Sequence, residues 1–269
     1  MSDAVEKNPW SGLKAFTNAR IALGRAGNAL PTAPLLAFNL SHAQARDAVH
    51  QPLDADALRR ELEAAGFATL GAASAAPDRQ HYLRRPDLGR RLSDESRAAL
   101  AQAGGDDNEK PDVVFVVGDG LSAFAAAKQA LPLLNAMRAR LDADRDAARG
   151  WRVGPVVVAS QARVALGDEI GELLGAKVVA MLIGERPGLS SPDSLGVYLT
   201  WAPKVGCHDA QRNCISNVRP EGLPHEAAAH KLHYLMTHAR RLQLTGVGLK
   251  DDSDALLSEA DEAGRIESA

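Results

Sequence analysis

The chain is poor in cysteine and in aromatic residues, and it carries no excess of positive charge. It has only two cysteines, Cys207 and Cys214, so no disulfide framework is expected and a reducing cytoplasm is the default location. Aromatic residues make up 4% of the sequence, which argues against a stacking platform for single-stranded nucleic acid. Lysine and arginine (31) nearly balance aspartate and glutamate (34), so the charge that drives binding to a phosphate backbone is missing. We therefore expect no nucleic-acid partner.

The sequence also lacks a hydrophobic run long enough to cross a bilayer. Its most apolar stretches, at residues 113–117 and 178–183, have the length of strands. The first ten residues, MSDAVEKNPW, contain no basic segment followed by an apolar one, as a secretory signal would. These features predict a cytoplasmic protein without a membrane partner.

The composition is otherwise that of a globular protein with 269 residues, of which 45% are hydrophobic, enough for a sizeable core. Residues 1–104 are rich in alanine, arginine and leucine with helical spacing, as in PLDADALRRELEAAG, where Asp54 can cap a helix and Gly66 can end it. They predict a small N-terminal helical domain. The polar segment AGGDDNEKPD that follows predicts a linker.

Residues 105–250 show a different pattern, in which strands that are apolar at consecutive positions alternate with helical stretches. This pattern is typical of a parallel sheet covered on both faces, and it predicts an α/β fold with a Rossmann-like sheet. The acidic residues 251–269 predict a mobile tail.

Three short motifs each have a functional and a structural interpretation. GDGLSA, residues 118–123, matches the turn of a dinucleotide fingerprint, but the acidic residue expected after the next strand is missing, so a tight turn in which Asp119 caps the helix is favoured. CHDAQRNC, residues 207–214, is spaced poorly for zinc, and free thiols are favoured. The histidines at 225, 230, 233 and 238 do not share one stripe, which favours a solvated helix face over a metal site.

Arginine is concentrated in YLRRPDLGRRLSDES, which holds four arginines at 84, 85, 90 and 91. Phosphate capture is one interpretation, and a surface that meets a protein partner is the favoured one. The polar residues at 25, 42, 46, 47 and 50 indicate either a solvated helix face or an intersubunit patch.

Several longer strings, above all GDEIGELLGAK followed by GERPGL and CISN, resemble the small (light) subunit of ethanolamine ammonia-lyase. The resemblance runs in order from about residue 9 to residue 250. It implies an adenosylcobalamin-dependent complex with a large TIM-barrel subunit that holds the substrate and carries the radical chemistry. The reaction converts ethanolamine, and some related vicinal amino alcohols, to an aldehyde such as acetaldehyde and ammonia.

The resemblance also implies which residues of this chain contact the cofactor. They are Val164 before GDEIG, Glu185 in GERPG and Cys214 in CISN. Val164 and Glu185 follow two strands of the predicted sheet, at the edge where ligands of open α/β folds bind. Val164 could pack on the corrin ring and Glu185 could accept hydrogen bonds from its amides, while Arg186 would tie the loop down. No residue of this chain is predicted to be catalytic or to bind a metal.

Many Rossmann-like cobalamin domains carry Asp-x-His-x-x-Gly, whose histidine replaces the cofactor's own base on cobalt, and this sequence lacks that motif. We therefore expect the nucleotide base to stay on cobalt. Some relatives carry a long N-terminal extension that addresses them to a bacterial microcompartment, whereas this chain begins almost at NPW, so encapsulation is left open. The remaining alternatives are a nicotinamide oxidoreductase, based on GDGLSA, and a structural module that braces a barrel without touching the cofactor.

Overall fold

A computed structural model describes residues 5–104, 110–144 and 150–253 of the chain. These residues form one six-stranded sheet with helices on both faces. The strands are β1 (Thr69–Ala73), β2 (Val113–Gly118), β3 (Val156–Ser160), β4 (Val178–Gly184), β5 (Leu195–Trp201) and β6 (Arg212–Val218). The α-helices are α1 (Thr32–His50), α2 (Ala55–Ala64), α3 (Arg79–Arg84), α4 (Asp94–Ala103), α5 (Ala123–Ala143), α6 (Leu166–Leu173) and α7 (His225–Leu242).

The strand order across the sheet is β1-β3-β2-β4-β5-β6. The first four strands in this order are parallel to one another, β5 pairs with β4 in the antiparallel direction, and β6 pairs with β5 in the antiparallel direction. Helix α5 connects β2 to β3, and helix α6 connects β3 to β4. Because a parallel crossover needs such a connection, the alternation of strands and helices in the sequence fixes this half of the sheet.

The core is divided by the sheet into two layers. Residues 113, 115 and 117 of β2 face α2, α5 and α7, whereas residues 114 and 116 face α4 and α6. Every residue of β2 and β4 is buried, as expected for central strands covered on both sides. The layer on the α6 side stops short of β5 and β6, and this leaves part of the sheet open near Tyr198 and Cys214.

The α/β class is confirmed, with the correction that the sheet is mixed rather than wholly parallel. The term Rossmann-like stays a prediction, because this strand order differs from the 3-2-1-4-5-6 order of the doubly wound dinucleotide fold.

The sequence pattern predicts only helices before residue 104, but the structure adds β1, which pairs with β3 in the same sheet. Strand β1 has the sequence TLGAA, which is too short, and has side chains too small, to show an alternating hydrophobic pattern. Leu62 and Leu100, also from this region, belong to the two core layers. The boundary between domains 1–104 and 105–250 stays a prediction, although one sheet spans it.

Most of the predicted linker and of the acidic tail lies outside the described residues. Within the described part of the chain, no helix combines the length and the apolar character needed to cross a membrane.

Candidate functional site

A pocket of about 440 Å³ lies at the carboxyl ends of β2, β3 and β4. Val164 lines it from the loop after β3, and Glu185 lines it from the loop after β4. The loop after β2 leads to α5 on one face of the sheet, while the loop after β3 leads to α6 on the other. Diverging loops of this kind open the crevice in which α/β folds bind ligands. We call this site the strand-end pocket.

The strand-end pocket is largely apolar, with one carboxylate and two arginines at its wall. Its other lining residues are Tyr82, Gly120, Leu121, Arg163, Ile183, Gly184, Arg186 and Tyr198. A broad apolar ligand with polar edges therefore matches this lining better than a small ionic one.

Glu185 is held in place by three contacts. Its backbone N–H donates to the Ser194 carbonyl oxygen at 3.0 Å. Its Oε2 accepts hydrogen bonds from the Ser194 hydroxyl and, at 3.2 Å, from the Asn217 backbone N–H. The side chain lies over Gly196 of β5, where a Cβ would come within 2.9 Å of Oε1. A larger residue at that position would displace the carboxylate from where it lies, and no hydrogen bond to Oε1 is found among the described residues.

Cys214 lies one strand further from the pocket than the other two predicted contacts. It is exposed on β6, with its Sγ 3.4 Å from the Ser216 hydroxyl. Its partner in the β5–β6 ladder is Tyr198, which does line the pocket. Burial raises the pKa of Tyr198, and the neighbouring Cys214 and Glu185 raise it further. Val164, Glu185, Tyr198 and Cys214 therefore form one continuous surface, although Cys214 is outside the pocket itself.

The loop after β4 is tied down by Asp193 rather than by Arg186. Lys128 of α5 contacts the Asp193 carboxylate at 2.6 Å, and Arg219 contacts it at 3.5 Å. Burial alone would raise the pKa of Asp193, but the bonds and charges of these two cations outweigh it and lower that pKa below its ordinary value. Arg186 is exposed, and among the described residues its side chain has no hydrogen bond or ion pair. Its predicted structural role is therefore not supported.

The hydrogen-bonding groups of the GDGLSA turn are occupied by partners within the protein. Leu121 donates its N–H to the Gly184 carbonyl oxygen at 2.9 Å, and Ser122 caps α5 by accepting from Ala125. Asp119 does not cap the helix as predicted. Its carboxylate instead accepts from the backbone of the loop after β3, at residues 161 and 162, and from Arg79. Because these groups are already occupied, the geometry favours a tight turn over a dinucleotide site.

The most distinctive string of the sequence, GDEIGELLGAK, is used to hold elements together. Asp168 forms a two-pronged ion pair with Arg212 of β6, and both side chains are 2% exposed. Glu169 accepts hydrogen bonds from the Leu92 backbone and from Arg97. A Cβ at Gly171 would lie 2.6 Å from the Pro203 ring, so α6 packs closely against the loop that follows β5. This string positions the pocket without lining it.

The cysteines and histidines do not converge. Within the described ranges no group of three or more His, Cys, Asp or Glu side chains could hold a metal ion. His225 contacts Gln129, His230 contacts the Ser253 carbonyl oxygen, and His233 contacts Asp144, so the α7 histidines have separate partners.

A second pocket, of about 470 Å³, adjoins the first. The two share Arg163 and Val164, and the second also contains Arg90 and Arg91 from the arginine-rich stretch. Its remaining lining comes from Pro86, Ala165, residues 205–209 and Arg212. We call it the arginine pocket.

Three features of this surface could not be assigned from the sequence. Tyr198 sits in a strand where its outward orientation depends on register, and Gly196 matters only because Glu185 lies above it. Tyr82 is fully buried, and its ring lies between the guanidinium groups of Arg79 and Arg163 at 4.7 and 4.3 Å. The clustering of arginines near Tyr82 was the only signal in the sequence.

Comparison with known proteins identifies the family of this chain. Residues 7–250 match the model of the ethanolamine ammonia-lyase light chain (EutC). A protein from Ralstonia nicotianae named ethanolamine ammonia-lyase small subunit is 55% identical over 256 residues, covering 95% of this chain and 93% of the relative. Proteins of the same name from Azotobacter vinelandii and Pseudomonas aeruginosa are 54% and 53% identical, and each covers 96% of the relative.

Proposed function

The chain belongs to the ethanolamine ammonia-lyase light-chain family, and we propose that it covers one side of adenosylcobalamin in a complex with the large subunit of that enzyme. The complex would convert ethanolamine, and some related vicinal amino alcohols, to an aldehyde and ammonia. When bound, adenosylcobalamin supplies the radical chemistry. The observation that carries this proposal is the meeting of Val164 and Glu185 in one open pocket at the strand ends.

The residues of the strand-end pocket fit a corrin ring. Val164, Leu121 and Ile183 provide apolar contact for a broad ring. Glu185 provides a carboxylate that can accept hydrogen bonds from the ring's amide side chains, and Ser194 and Asn217 keep that carboxylate oriented.

The size of the pocket supports a shared site. A volume of about 440 Å³ suits a drug-sized ligand, and cobalamin is much larger. This difference in size supports a site in which this chain buries one side of the cofactor and the large subunit buries the other.

The large subunit is the proposed cover for an exposed apolar arm, residues 5–50. Trp10 is 67% exposed, Phe16 is 86% exposed, and α1 buries only Ala48. Most of the large exposed apolar side chains of the described residues, such as Leu36 and Leu40, belong to this arm, and exposed apolar surface of this kind marks interaction sites. Arg20 of the arm donates to the Leu189 carbonyl oxygen at 3.1 Å, so the arm lies beside the loop that carries Glu185. One partner could cover both surfaces.

The test is to co-express the chain with its large subunit and titrate the complex with cyanocobalamin, alongside an assay of cobalamin-dependent ammonia release from ethanolamine. Glu185→Gln keeps the shape and its local hydrogen bonds but loses the charge, so we expect cobalamin affinity to fall about tenfold or more. Glu95→Gln, at an exposed position on α4, is the matched control and should change nothing.

Two outcomes would contradict the proposal. If Glu185→Gln binds cobalamin as tightly as the wild type, the chain braces its partner without touching the cofactor. If the large subunit alone binds cobalamin with full affinity and activity, the chain has no part in the site.

We further propose that no histidine of this chain binds cobalt. The lining of the strand-end pocket contains no histidine, and His208 is in the lining of the arginine pocket. The EPR spectrum of cob(II)alamin in the complex should therefore be identical whether this chain carries ¹⁴N- or ¹⁵N-histidine, with the large subunit left unlabelled. A change in the nitrogen superhyperfine pattern on labelling, absent in His208→Ala, would refute this.

A further inference from the structure

The arginine pocket holds more positive than negative charge. Among the residues that the structure describes, Arg90, Arg91 and Arg163 have no carboxylate within ion-pair distance. The pKa of nearby Asp87 is lowered by its hydrogen bond to Arg85, with which it is paired, and less strongly by the charge of Arg91. Arg212, the fourth arginine, is already paired with Asp168, and its Nε also lies 3.4 Å from Asp209. Three unpaired arginines in one concave site favour an anionic ligand.

Arg163 is the most constrained of the three. Its backbone N–H donates to the Gly89 carbonyl oxygen at 2.8 Å, and its guanidinium stacks on the Tyr82 ring at 4.3 Å. One terminal nitrogen donates to the Tyr82 carbonyl oxygen at 3.3 Å. The buried Nε has no hydrogen-bond partner. A buried donor left without an acceptor is costly. Nη1 also has no hydrogen bond to a described residue, and because Arg163 lines both pockets, an anion bound there can accept from its guanidinium.

The position of this pocket identifies the anion. Because it shares Arg163 and Val164 with the strand-end pocket, a ligand seated on Val164 can extend directly to the arginines. Cobalamin has neutral amides around its ring and a single anionic group on its side chains, the phosphodiester of its nucleotide arm. We propose that Arg163, with Arg90 and Arg91, binds that phosphodiester.

This inference rests on the proposed function, because it places the nucleotide arm of the same cofactor beside the ring contacts. It also revives the phosphate-capture interpretation of the arginine-rich stretch. Arginine is suited to this contact because its planar fork can donate two hydrogen bonds to one phosphate group.

The test compares three probes on the assembled two-subunit complex by equilibrium dialysis: cyanocobalamin, cobinamide phosphate and cobinamide. The last two differ in the phosphate alone. We expect the wild type to bind cobinamide phosphate about 10- to 100-fold more tightly than cobinamide, as a hydrogen-bonded charge pair would give. Arg163→Gln should lower that ratio towards one, with a smaller change in cobinamide affinity because Arg163 also lines the strand-end pocket.

Two further variants keep the result interpretable if Arg163→Gln folds poorly. The double variant Arg90→Gln, Arg91→Gln changes exposed side chains only, and it should lower the same ratio and the salt dependence of cobalamin binding. Arg60→Gln, an exposed arginine on α2, is the matched control and should leave the ratio at its wild-type value.

Each other outcome overturns the inference in a recognisable way. An Arg163 variant that weakens all three probes equally would show that the residue only supports Tyr82. An unchanged ratio in every arginine variant, with binding still dependent on Glu185, would refute the phosphate contact and leave the proposed function intact. If the double arginine variant fails to assemble while Arg60→Gln assembles, the arginines hold the partner subunit instead. A wild-type complex that binds none of the probes would refute the proposed function itself.

Discussion

Replacing Arg212 by methionine should strongly destabilise the chain. In the folded protein Arg212 pairs with Asp168 through both terminal nitrogens, and it also donates to Thr200 Oγ1 at 3.0 Å and to the Cys207 carbonyl oxygen at 2.8 Å. Both members of the pair are 2% exposed, so the Asp168 carboxylate is largely shielded from water in the folded chain. An uncompensated buried charge costs about 3–5 kcal/mol. We expect a loss of that size in the free energy of unfolding, measured by urea titration.

The double variant Asp168→Leu, Arg212→Met separates this cause from general loss of packing. The double variant has no uncompensated carboxylate. Only two neutral acceptors, Thr200 Oγ1 and the Cys207 carbonyl oxygen, lose their donor. The double variant should therefore be more stable than the single variant by about 2 kcal/mol. Arg25→Gln is the control, because the Arg25–Glu6 pair is exposed at 69% and 71%. It should cost less than about 1 kcal/mol.

The deficit of Arg212→Met should also depend on pH. Burial raises the pKa of Asp168, and without the arginine nothing comparable lowers it again. Between the pKa of Asp168 in the unfolded chain and its raised pKa in the folded variant, the folded variant holds a proton that the unfolded chain has released. The stability of the variant therefore falls as pH rises from the first value to the second. The deficit should be smaller at pH 5 than at pH 8. A single variant as stable as Arg25→Gln, or a double variant no more stable than the single one, would refute this reasoning.

Three further predictions concern the loop after β4 and the arm. A Cβ on Gly184 would overlap the Ser122 carbonyl oxygen, so Gly184→Ala should lower the free energy of unfolding by about 1–3 kcal/mol, whereas Gly12→Ala, in open space, should not. The lowered pKa of Asp193 contributes stability that is complete above its ordinary value of 3.8 and is lost as pH falls through the folded value; Asp193→Asn should flatten this acid-induced loss in urea titrations between about pH 5 and 3. Phe16→Ser should leave the stability of the isolated chain within about 0.5 kcal/mol but weaken its association with the large subunit in sedimentation experiments. Retention of full affinity would contradict the assignment of the arm.

The parts of the fold that follow from local pattern could be predicted, and those that depend on pairing could not. Strands β2, β3 and β4 are apolar at consecutive positions, so their burial in a parallel sheet follows from the sequence. Strand β1, Thr69–Ala73, contains no large side chain beyond Leu70, and it joins the sheet because β3 offers a free edge. Strand β5 runs antiparallel to β4, and the loop that joins them does not indicate from its sequence in which direction the next strand runs.

The same distinction explains the site. Val164 and Glu185 could be placed together in advance, because parallel strands end at one edge of a sheet. The position of Cys214 depends on the register between β5 and β6, which contains a bulge near Leu195 and Val197. A shift of one residue would have turned Cys214 towards α7. Its place beside Tyr198 therefore could not be deduced without the structure.

The residues that make the sequence recognisable are mostly not the residues that meet a ligand. Asp168 and Glu169 in GDEIG bind Arg212 and Arg97, and Asp119 in GDGLSA holds the loop after β3. Each is buried and paired, and substitution there disturbs the whole sheet end. Glu185 differs because it is only half-buried and one of its carboxylate oxygens is free of hydrogen bonds from the described residues. A binding surface requires a carboxylate that the fold orients but whose hydrogen-bonding capacity is not fully satisfied within the protein. The same reasoning applies to the Arg163 guanidinium, which lines both pockets and forms no ion pair with a described residue. Ligand contacts are thus better sought at oriented groups with spare hydrogen-bonding capacity than in the most distinctive strings.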